Sequence, residues 1–225
     1  MPSYKKHVLF SIIIALPFIH DFFYLSLAVV GASIIDMDHH VKKNNLIKMA
    51  FFGILLFIIL YILNLPFLVS ISLIIMAFIF YISNHRGFTH SIFGTILISF
   101  LLTFFVLGII SLLNMFDLDI KLSLILISLI LGIIVLNKKI LLPFLILIPI
   151  GIIIMPGSNI SLNYTFSAIF IGSMSHIILD LFTPSGIRLL NPLSSKKFKK
   201  SLGIILFILW VIGAFIFNFK DIIIF

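Results

Sequence analysis

Histidine and aspartate, the residues of this sequence best suited to bind a metal ion, are concentrated in three short windows. The chain of 225 residues has seven His and seven acidic residues, and all of the acids are Asp. Imidazole nitrogens and carboxylate oxygens are ordinary ligands of zinc, and the absence of Cys excludes thiolate ligands and disulfides. Eight of the fourteen His and Asp residues fall within 36–40, 85–90 and 176–180: Asp36, Asp38, His39, His40, His85, His90, His176 and Asp180.

The third window has the spacing of two ligands on one helix. His176 and Asp180 are four residues apart in an apolar segment, so their side chains share one face of an α-helix. Pro184 ends that helix, which places Asp180 near a C-terminus, where the macrodipole disfavours negative charge by roughly 0.3–1 kcal/mol. Asp36 and Asp38 stand in the same relation to the segment before them. A metal ion would compensate this charge; the alternative is an ion pair or a hydrogen-bonded pair that joins two helices.

The middle window is predicted to be a loop that leads into the next helix. Thr89 or Ser91 can cap that helix. Arg86 carries a guanidinium fork that suits a phosphate, and the alternative is an interfacial arginine that binds lipid headgroups. His85 and His90 are five residues apart, so they converge on one metal only if His85 lies in the loop.

The composition places these windows in a membrane protein. Hydrophobic residues make up 62% of the chain and charged residues 10%, against about 25% charged residues in soluble domains. We therefore predict an all-α, polytopic integral membrane helical bundle with about seven to nine hydrophobic segments, forming one domain over residues 1–225. The segments lie near 8–19, 22–35, 47–64, 66–82, 92–114, 120–136, 140–155, 164–182 and 202–219.

The order of the segments predicts that the three windows share one side of the membrane. The first two segments are short, and we predict a helical hairpin that turns at His20–Asp21; the alternative is one interrupted crossing, which would hold these ionisable residues inside the membrane at a cost. With the hairpin, His7 joins the windows, and every Lys and Arg except Lys121 and Lys220 lies on that side. By the positive-inside rule this side faces the cytoplasm.

The motifs around these windows resemble those of the YdjM-like family of membrane-bound metal-dependent hydrolases. The resemblance covers residues 7 to about 193, and this chain has Ile35 where the family usually has Pro. That family is distantly similar to the zinc-dependent phospholipases C and the zinc nucleases, helical enzymes that bind several clustered metals through His and Asp. The motifs are Lys6 to Ser11, Ile35 to His39, His85 to Ser91, Gly172 to His176, Asp180, Thr183 to Gly186 and Asn191–Pro192.

The resemblance implies a membrane-bound hydrolase that cleaves a lipid or lipid-linked phosphoester at the cytoplasmic face of the cell membrane. We expect two or more divalent ions, Zn²⁺ first and Mn²⁺ as the alternative. Asp38 or His90 would act as the base, Arg86 would bind the phosphate, and Thr89 is a further catalytic candidate. The implied metal ligands are His7, Asp36, Asp38, His39, His85, His90, His176 and Asp180.

Two other functions fit the same residues. The His and Asp side chains could serve a metal or proton transporter, or the chain could be a catalytically inactive membrane scaffold. A transport path needs polar residues along the whole membrane depth, whereas the ionisable residues here gather at one side. We expect membrane lipid as a partner and no nucleic acid.

Overall fold

The structure, a computed structural model, describes residues 3–40, 43–84, 86–155 and 160–223, and its regular secondary structure within these residues is helical. An isolated antiparallel β-bridge pairs Ile187 with Phe198, and a 3₁₀ turn covers Phe88–His90. The α-helices are α1 (Tyr4–Ala15), α2 (Phe22–Ile34), α3 (Met37–His40), α4 (Lys43–Ile62), α5 (Leu68–Ile82), α6 (Ile92–Asn114), α7 (Ile120–Val135), α8 (Lys138–Ile154), α9 (Leu162–Leu181) and α10 (Lys200–Ile223).

The all-α prediction is confirmed, and each of the nine predicted hydrophobic segments corresponds to one helix. The number of helices long and apolar enough to cross a membrane is smaller than the predicted seven to nine segments. Within the described part of the chain it is three: α6, α9 and Lys200–Phe219 of α10. Helix length explains the difference, because helices of 12–15 residues such as α1, α2 and α5 are only about 18–23 Å long, whereas the hydrocarbon core is about 30 Å thick.

The outer surface of the bundle is apolar, as a membrane protein requires. Phe51, Ile62, Leu142 and Ile154 are each 65–77% exposed although they are large hydrophobic side chains. Contiguous exposed apolar surface of this kind is unusual for a soluble monomer. The bundle is therefore compatible with insertion into lipid.

The central helix of the bundle is α2, and its closest neighbour is α9. A Cβ atom at Gly31 would overlap the carbonyl oxygen of Ile169, and a Cβ atom at Gly172 would overlap that of Ala28. The two glycines thus let the backbones of α2 and α9 touch, as small residues do between membrane helices. This contact fixes the register between α2 and the part of α9 that carries His176.

The chain reverses direction between α1 and α2, so the predicted hairpin is confirmed. Asp21 caps α2 by accepting a hydrogen bond from the backbone N–H of Phe23 at 2.7 Å. His7, in the first turns of α1, and Asp36, just after α2, bring their ligand atoms within 4.8 Å of each other. The two ends of the hairpin therefore meet at one place, opposite the turn at His20–Asp21.

Candidate metal centre

Two imidazole nitrogens and two carboxylate oxygens, from three parts of the chain, form a ring at the end of the α1–α2 hairpin in which nitrogen and oxygen alternate. Nε2 of His176 lies 3.5 Å from Oδ1 of Asp36 and 3.8 Å from Oδ2 of Asp180. Nε2 of His90 lies 3.6 Å from the same Asp36 oxygen and 3.9 Å from the same Asp180 oxygen. His90, His176 and Asp180 are almost completely buried, and Asp36 is 13% exposed.

These separations are typical of ligands around an ion and too long for hydrogen bonds. A hydrogen bond between nitrogen and oxygen is usually about 2.9 Å long, and a contact near 3.6 Å is not one. Ligands that surround zinc tetrahedrally at about 2.0–2.1 Å lie about 3.3 Å from one another. The edges of the ring, 3.5–3.9 Å, are slightly wider than that. The donor atoms and their spacing therefore make this ring a candidate cation site.

The orientation of His176 is set by the neighbouring helix. Its Nδ1 lies 2.7 Å from the carbonyl oxygen of Ala32, near the end of α2. A carbonyl oxygen only accepts, so Nδ1–H donates and the neutral ring keeps its lone pair on Nε2, which points into the ring of ligand atoms. Metal-binding histidines are commonly held in this way by a backbone carbonyl.

His90 is held on its other side by a carboxylate and a hydroxyl group. Nδ1 of His90 lies 3.5 Å from Oδ2 of Asp38, and the same oxygen accepts a hydrogen bond from Oγ1 of Thr89 at 2.7 Å. The 3₁₀ turn places Thr89 and His90 side by side, and Gly94 is required there because a Cβ atom would overlap the carbonyl oxygen of Phe88. Nε2 of His90 is thereby directed towards Asp36 and Asp180.

The electrostatics of this group favour charged forms of His90 and Asp36. Burial lowers the pKa of His90, but its contacts with Asp36 and Asp38 outweigh burial and raise that pKa to about 9. Burial raises the pKa of Asp36, but the contacts with His176 and His90 hold it well below its usual value. Without a metal, a proton on His90 supplies the positive charge that the carboxylates require.

His7 brings the α1–α2 hairpin into the same cluster. Its Nε2 lies 3.6 Å from Oδ1 of Asp180, the oxygen that does not belong to the ring. The His7 ring stacks on the His176 ring with centroids 4.0 Å apart. Three combinations of residues bring one ligand atom each within 4.8 Å of the others: His7, Asp36 and His176; His90, His176 and Asp180; Asp36, Asp38 and His90.

Arg86 stands between the cluster and a surface cavity. Nη2 of Arg86 lies 3.8 Å from Oδ2 of Asp180, and Nη1 donates to the hydroxyl oxygen of Ser185. Ser185 in turn lies 3.2 Å from the hydroxyl oxygen of Thr183, which donates to the carbonyl oxygen of Asp180 at 2.8 Å. Arg86 adopts a left-handed backbone conformation, with φ of 58°. The loop after α9 therefore holds the guanidinium beside the candidate ligands.

Most of the site residues predicted from the sequence meet here. The structure brings together His7, Asp36, Asp38, Arg86, Thr89, His90, His176 and Asp180. His85 and the side chain of His39 lie outside the described residues. Of the two predicted caps, Ser91 is the one that caps α6, by accepting from the N–H of Gly94 at 3.1 Å, while Thr89 contacts Asp38 instead.

Two groups that contact the site residues were not predicted from the sequence. The carbonyl of Ala32 is a backbone group, and only the small residues at Gly31 and Gly172 signal that α2 and α9 approach closely enough for it to reach His176. Ser185 is the partner of Arg86. It lies in a predicted motif, but no pattern assigns it a role.

The fold and the cluster define a helical membrane protein that holds buried His and Asp side chains at one end of its bundle. The family model described as YdjM inner membrane protein matches residues 1–224. The chain therefore belongs to this family of inner membrane proteins. Comparisons with curated proteins and with solved structures found no match.

Proposed function

We propose that this protein is a membrane-bound, metal-dependent hydrolase that cleaves a phosphoester. The observation that carries the proposal is the ring formed by two imidazole nitrogens and two carboxylate oxygens with edges of 3.5–3.9 Å. These four atoms match the donor types of catalytic zinc sites. The resemblance to metal-dependent hydrolases supports the same chemistry.

The unsatisfied polar atoms of the cluster fit a bound cation. Nε2 of His176, Oδ1 of Asp36 and both oxygens of Asp180 are buried and make no hydrogen bond. Buried carboxylates are costly unless they are well paired, hydrogen-bonded or bound to a metal, and these oxygens have only long ion-pair contacts of 3.5–3.9 Å to the neighbouring His and Arg side chains. One cation in the ring would satisfy three of these atoms, and a second beside His7 would satisfy Oδ1 of Asp180.

Two ions would therefore share Asp180. His90, His176, Asp36 and Oδ2 of Asp180 would hold the first, and His7 and Oδ1 of Asp180 would contribute to the second. The Nδ1 atom of His176 is already engaged with Ala32, so this residue serves one ion only. We propose Zn²⁺ at these positions, with Mn²⁺ as the alternative. When bound, a divalent cation acidifies water to give a nucleophile at neutral pH and neutralises charge on phosphoester oxygens.

The surrounding residues would orient the ligands and the substrate. Asp38 and Thr89 hold the Nδ1 side of His90, which fits a positioning role for both residues. Arg86, fixed by Ser185, would bind a phosphate oxygen with its guanidinium group. Asp36 has the most exposed side chain among the ring residues, so it lies where water reaches the site.

The same arrangement supports hydrolysis over transport. Among the buried hydroxyl groups along the helices, those of Ser11 and Ser33 each donate to a carbonyl of their own helix. Thr103, in the middle of α6, does the same. Hydroxyls used in this way do not form a relay across the membrane. The charge distribution of the loops supports a site on the cytoplasmic side, where a lipid or lipid-linked phosphoester has access.

Hydrolysis of lipid and nucleotide phosphomonoesters and phosphodiesters tests this proposal. Purified protein loaded with zinc or manganese should hydrolyse at least one substrate, and a His176→Ala/Asp180→Ala variant should not. The control is His20→Ala/Asp117→Ala, which removes one exposed His and one exposed Asp far from the cluster. Equal rates for wild type and the His176→Ala/Asp180→Ala variant would refute the assignment.

A further inference from the structure

A cationic cavity adjoins the candidate metal centre on the side of Arg86. It has a volume of about 400 Å³, within the roughly 300–1,000 Å³ typical of small-molecule sites. Arg86, Arg188 and Lys197 line it, and no Asp occurs among its described lining residues. Asp180 offsets the charge of Arg86 at 3.8 Å, but no acid in the described lining offsets Arg188 or Lys197, so the cavity is suited to an anion.

The backbone holds two of these cations together. Ile187 and Phe198 exchange both backbone hydrogen bonds, at 2.9 and 2.8 Å, across the β-bridge. Arg188 and Lys197 are the next residues on the two paired segments. Like charges opposite each other on paired segments are destabilising. Both side chains are exposed and screened by solvent, so the repulsion is small, and an anion bound between them would offset it.

Neutral donors complete the lining. The hydroxyl of Ser83 lies at the cavity and has no hydrogen-bond partner, and Asn84 and Asn191 supply amide groups. Gly186, also at the cavity, has φ of 63°, and a Cβ atom there would lie 2.5 Å from the carbonyl oxygen of Phe198. The two paired backbone segments thus approach each other closely beside the cavity.

We propose that this cavity binds the second phosphate of a diphosphate substrate. The inference rests on the proposed function, because the first phosphate would lie beside both the metal centre and the guanidinium group of Arg86. Arg86 contacts Asp180 at 3.8 Å and also lines the cavity, so it connects the two positions. Arg188 and Lys197 then remain for the second phosphate. A diphosphate carried by a lipid and a water-soluble diphosphate share this chemistry.

Isothermal titration with pyrophosphate and orthophosphate tests the proposal on the purified, detergent-solubilised protein, both zinc-loaded and zinc-free. Wild type should bind pyrophosphate at least about tenfold more tightly than orthophosphate, the effect expected of added charge-assisted contacts. Arg188→Gln/Lys197→Gln should lose this preference and keep its zinc. Lys196→Gln/Lys200→Gln removes two charges from the same region but none from the cavity lining, so it should keep the preference.

The results separate the two proposals. Equal binding of the two anions by wild type would overturn the diphosphate site, as would a preference that survives in Arg188→Gln/Lys197→Gln or disappears in the control. A protein that binds no zinc but keeps the preference would overturn the hydrolase proposal alone. Decyl diphosphate distinguishes the sources: binding at least about tenfold tighter than pyrophosphate indicates a lipid-borne group, and equal binding indicates a soluble one.

Discussion

Replacing Thr89 by Val tests whether the residues behind His90 support metal binding. Val has nearly the shape of Thr but lacks the hydroxyl that donates to Oδ2 of Asp38 at 2.7 Å. That oxygen lies 3.5 Å from Nδ1 of His90, and both side chains are fully buried. The substitution therefore removes one hydrogen bond to a buried carboxylate, together with the 3.2 Å contact between the hydroxyl and Nδ1 of His90, without touching any atom of the ring.

The expected effect is a loss of metal affinity. A hydrogen bond to a charged group is worth about 1.5–3 kcal/mol, and substitutions behind a metal-binding histidine typically weaken binding by about 10–100-fold. The latter range corresponds to about 1.4–2.7 kcal/mol. We therefore expect Thr89→Val to weaken zinc binding by about 10–100-fold and Thr89→Ser, which keeps the hydroxyl, to restore most of the affinity.

Competition between the protein and a zinc chelator of known affinity measures this effect. Thr103→Val is the matched control, because Thr103 is a buried threonine of α6 whose hydroxyl donates to the Ser99 carbonyl at 2.7 Å, away from the cluster. Zinc affinities of Thr89→Val and Thr103→Val within twofold of each other would refute the positioning role of Thr89.

Three further predictions concern proton release, the phosphate contact and helix packing. Zinc affinity should rise up to about tenfold per pH unit from pH 6.5 to 8.5, because His90 keeps its proton below a pKa of about 9 and must lose it to bind metal. Titration in buffered zinc at several pH values should show this slope. A zinc affinity that does not change with pH would contradict the prediction. Arg86→Gln should keep stoichiometric zinc in elemental analysis but weaken orthophosphate binding by about tenfold or more in calorimetry, since it removes the guanidinium beside the metal centre. Unchanged orthophosphate binding would contradict the role of Arg86 as a phosphate ligand. Gly172→Ala should lower both the thermal unfolding midpoint and the amount of zinc retained, because the added Cβ atom would overlap the Ala28 carbonyl. Gly213→Ala is the control, since a Cβ atom there meets nothing within 4 Å. Equal unfolding midpoints for the two variants would refute this packing argument.

Hydrophobic patterning was sufficient to predict nine of the ten α-helices in the described part of the chain, but not the short helix α3, which carries Asp38 and has no apolar run. Long apolar runs separated by Pro, Asn, Gly and charged residues give nine segments, and every one of them is a helix. The pattern does not predict how many helices are long enough to cross a membrane. The predicted segments 8–19 and 22–35 are already short in the sequence, and they form helices of 12 and 13 residues separated by Pro17 and the Asp21 cap.

The convergence of the site followed from two kinds of sequence information. Segment order placed Asp36, His90 and His176 on one side of the membrane, and the hairpin brought His7 to them. The roles of individual atoms could not be predicted, because they depend on tertiary contacts. Sequence spacing does not reveal that Ala32 offers a carbonyl to His176 or that Asp38 lies behind His90.

The cationic cavity shows the same limit. Arg188 and Lys197 are nine residues apart and separated by Pro192, so no periodic pattern relates them. The β-bridge between Ile187 and Phe198 makes them neighbours. Such a bridge arises from the way the loop folds back after α9, and it leaves no hydrophobic signature in the sequence.

Metal content of the purified, detergent-solubilised protein is the most direct measurement of the central claim. Elemental analysis after loading with zinc or manganese should find one or more equivalents in wild type and in the His20→Ala/Asp117→Ala control. The His176→Ala/Asp180→Ala variant should retain little, because it removes two of the four atoms of the ring. Absence of stoichiometric metal from the loaded wild type, or equal metal in all three proteins, would contradict the assignment of this cluster as a metal centre.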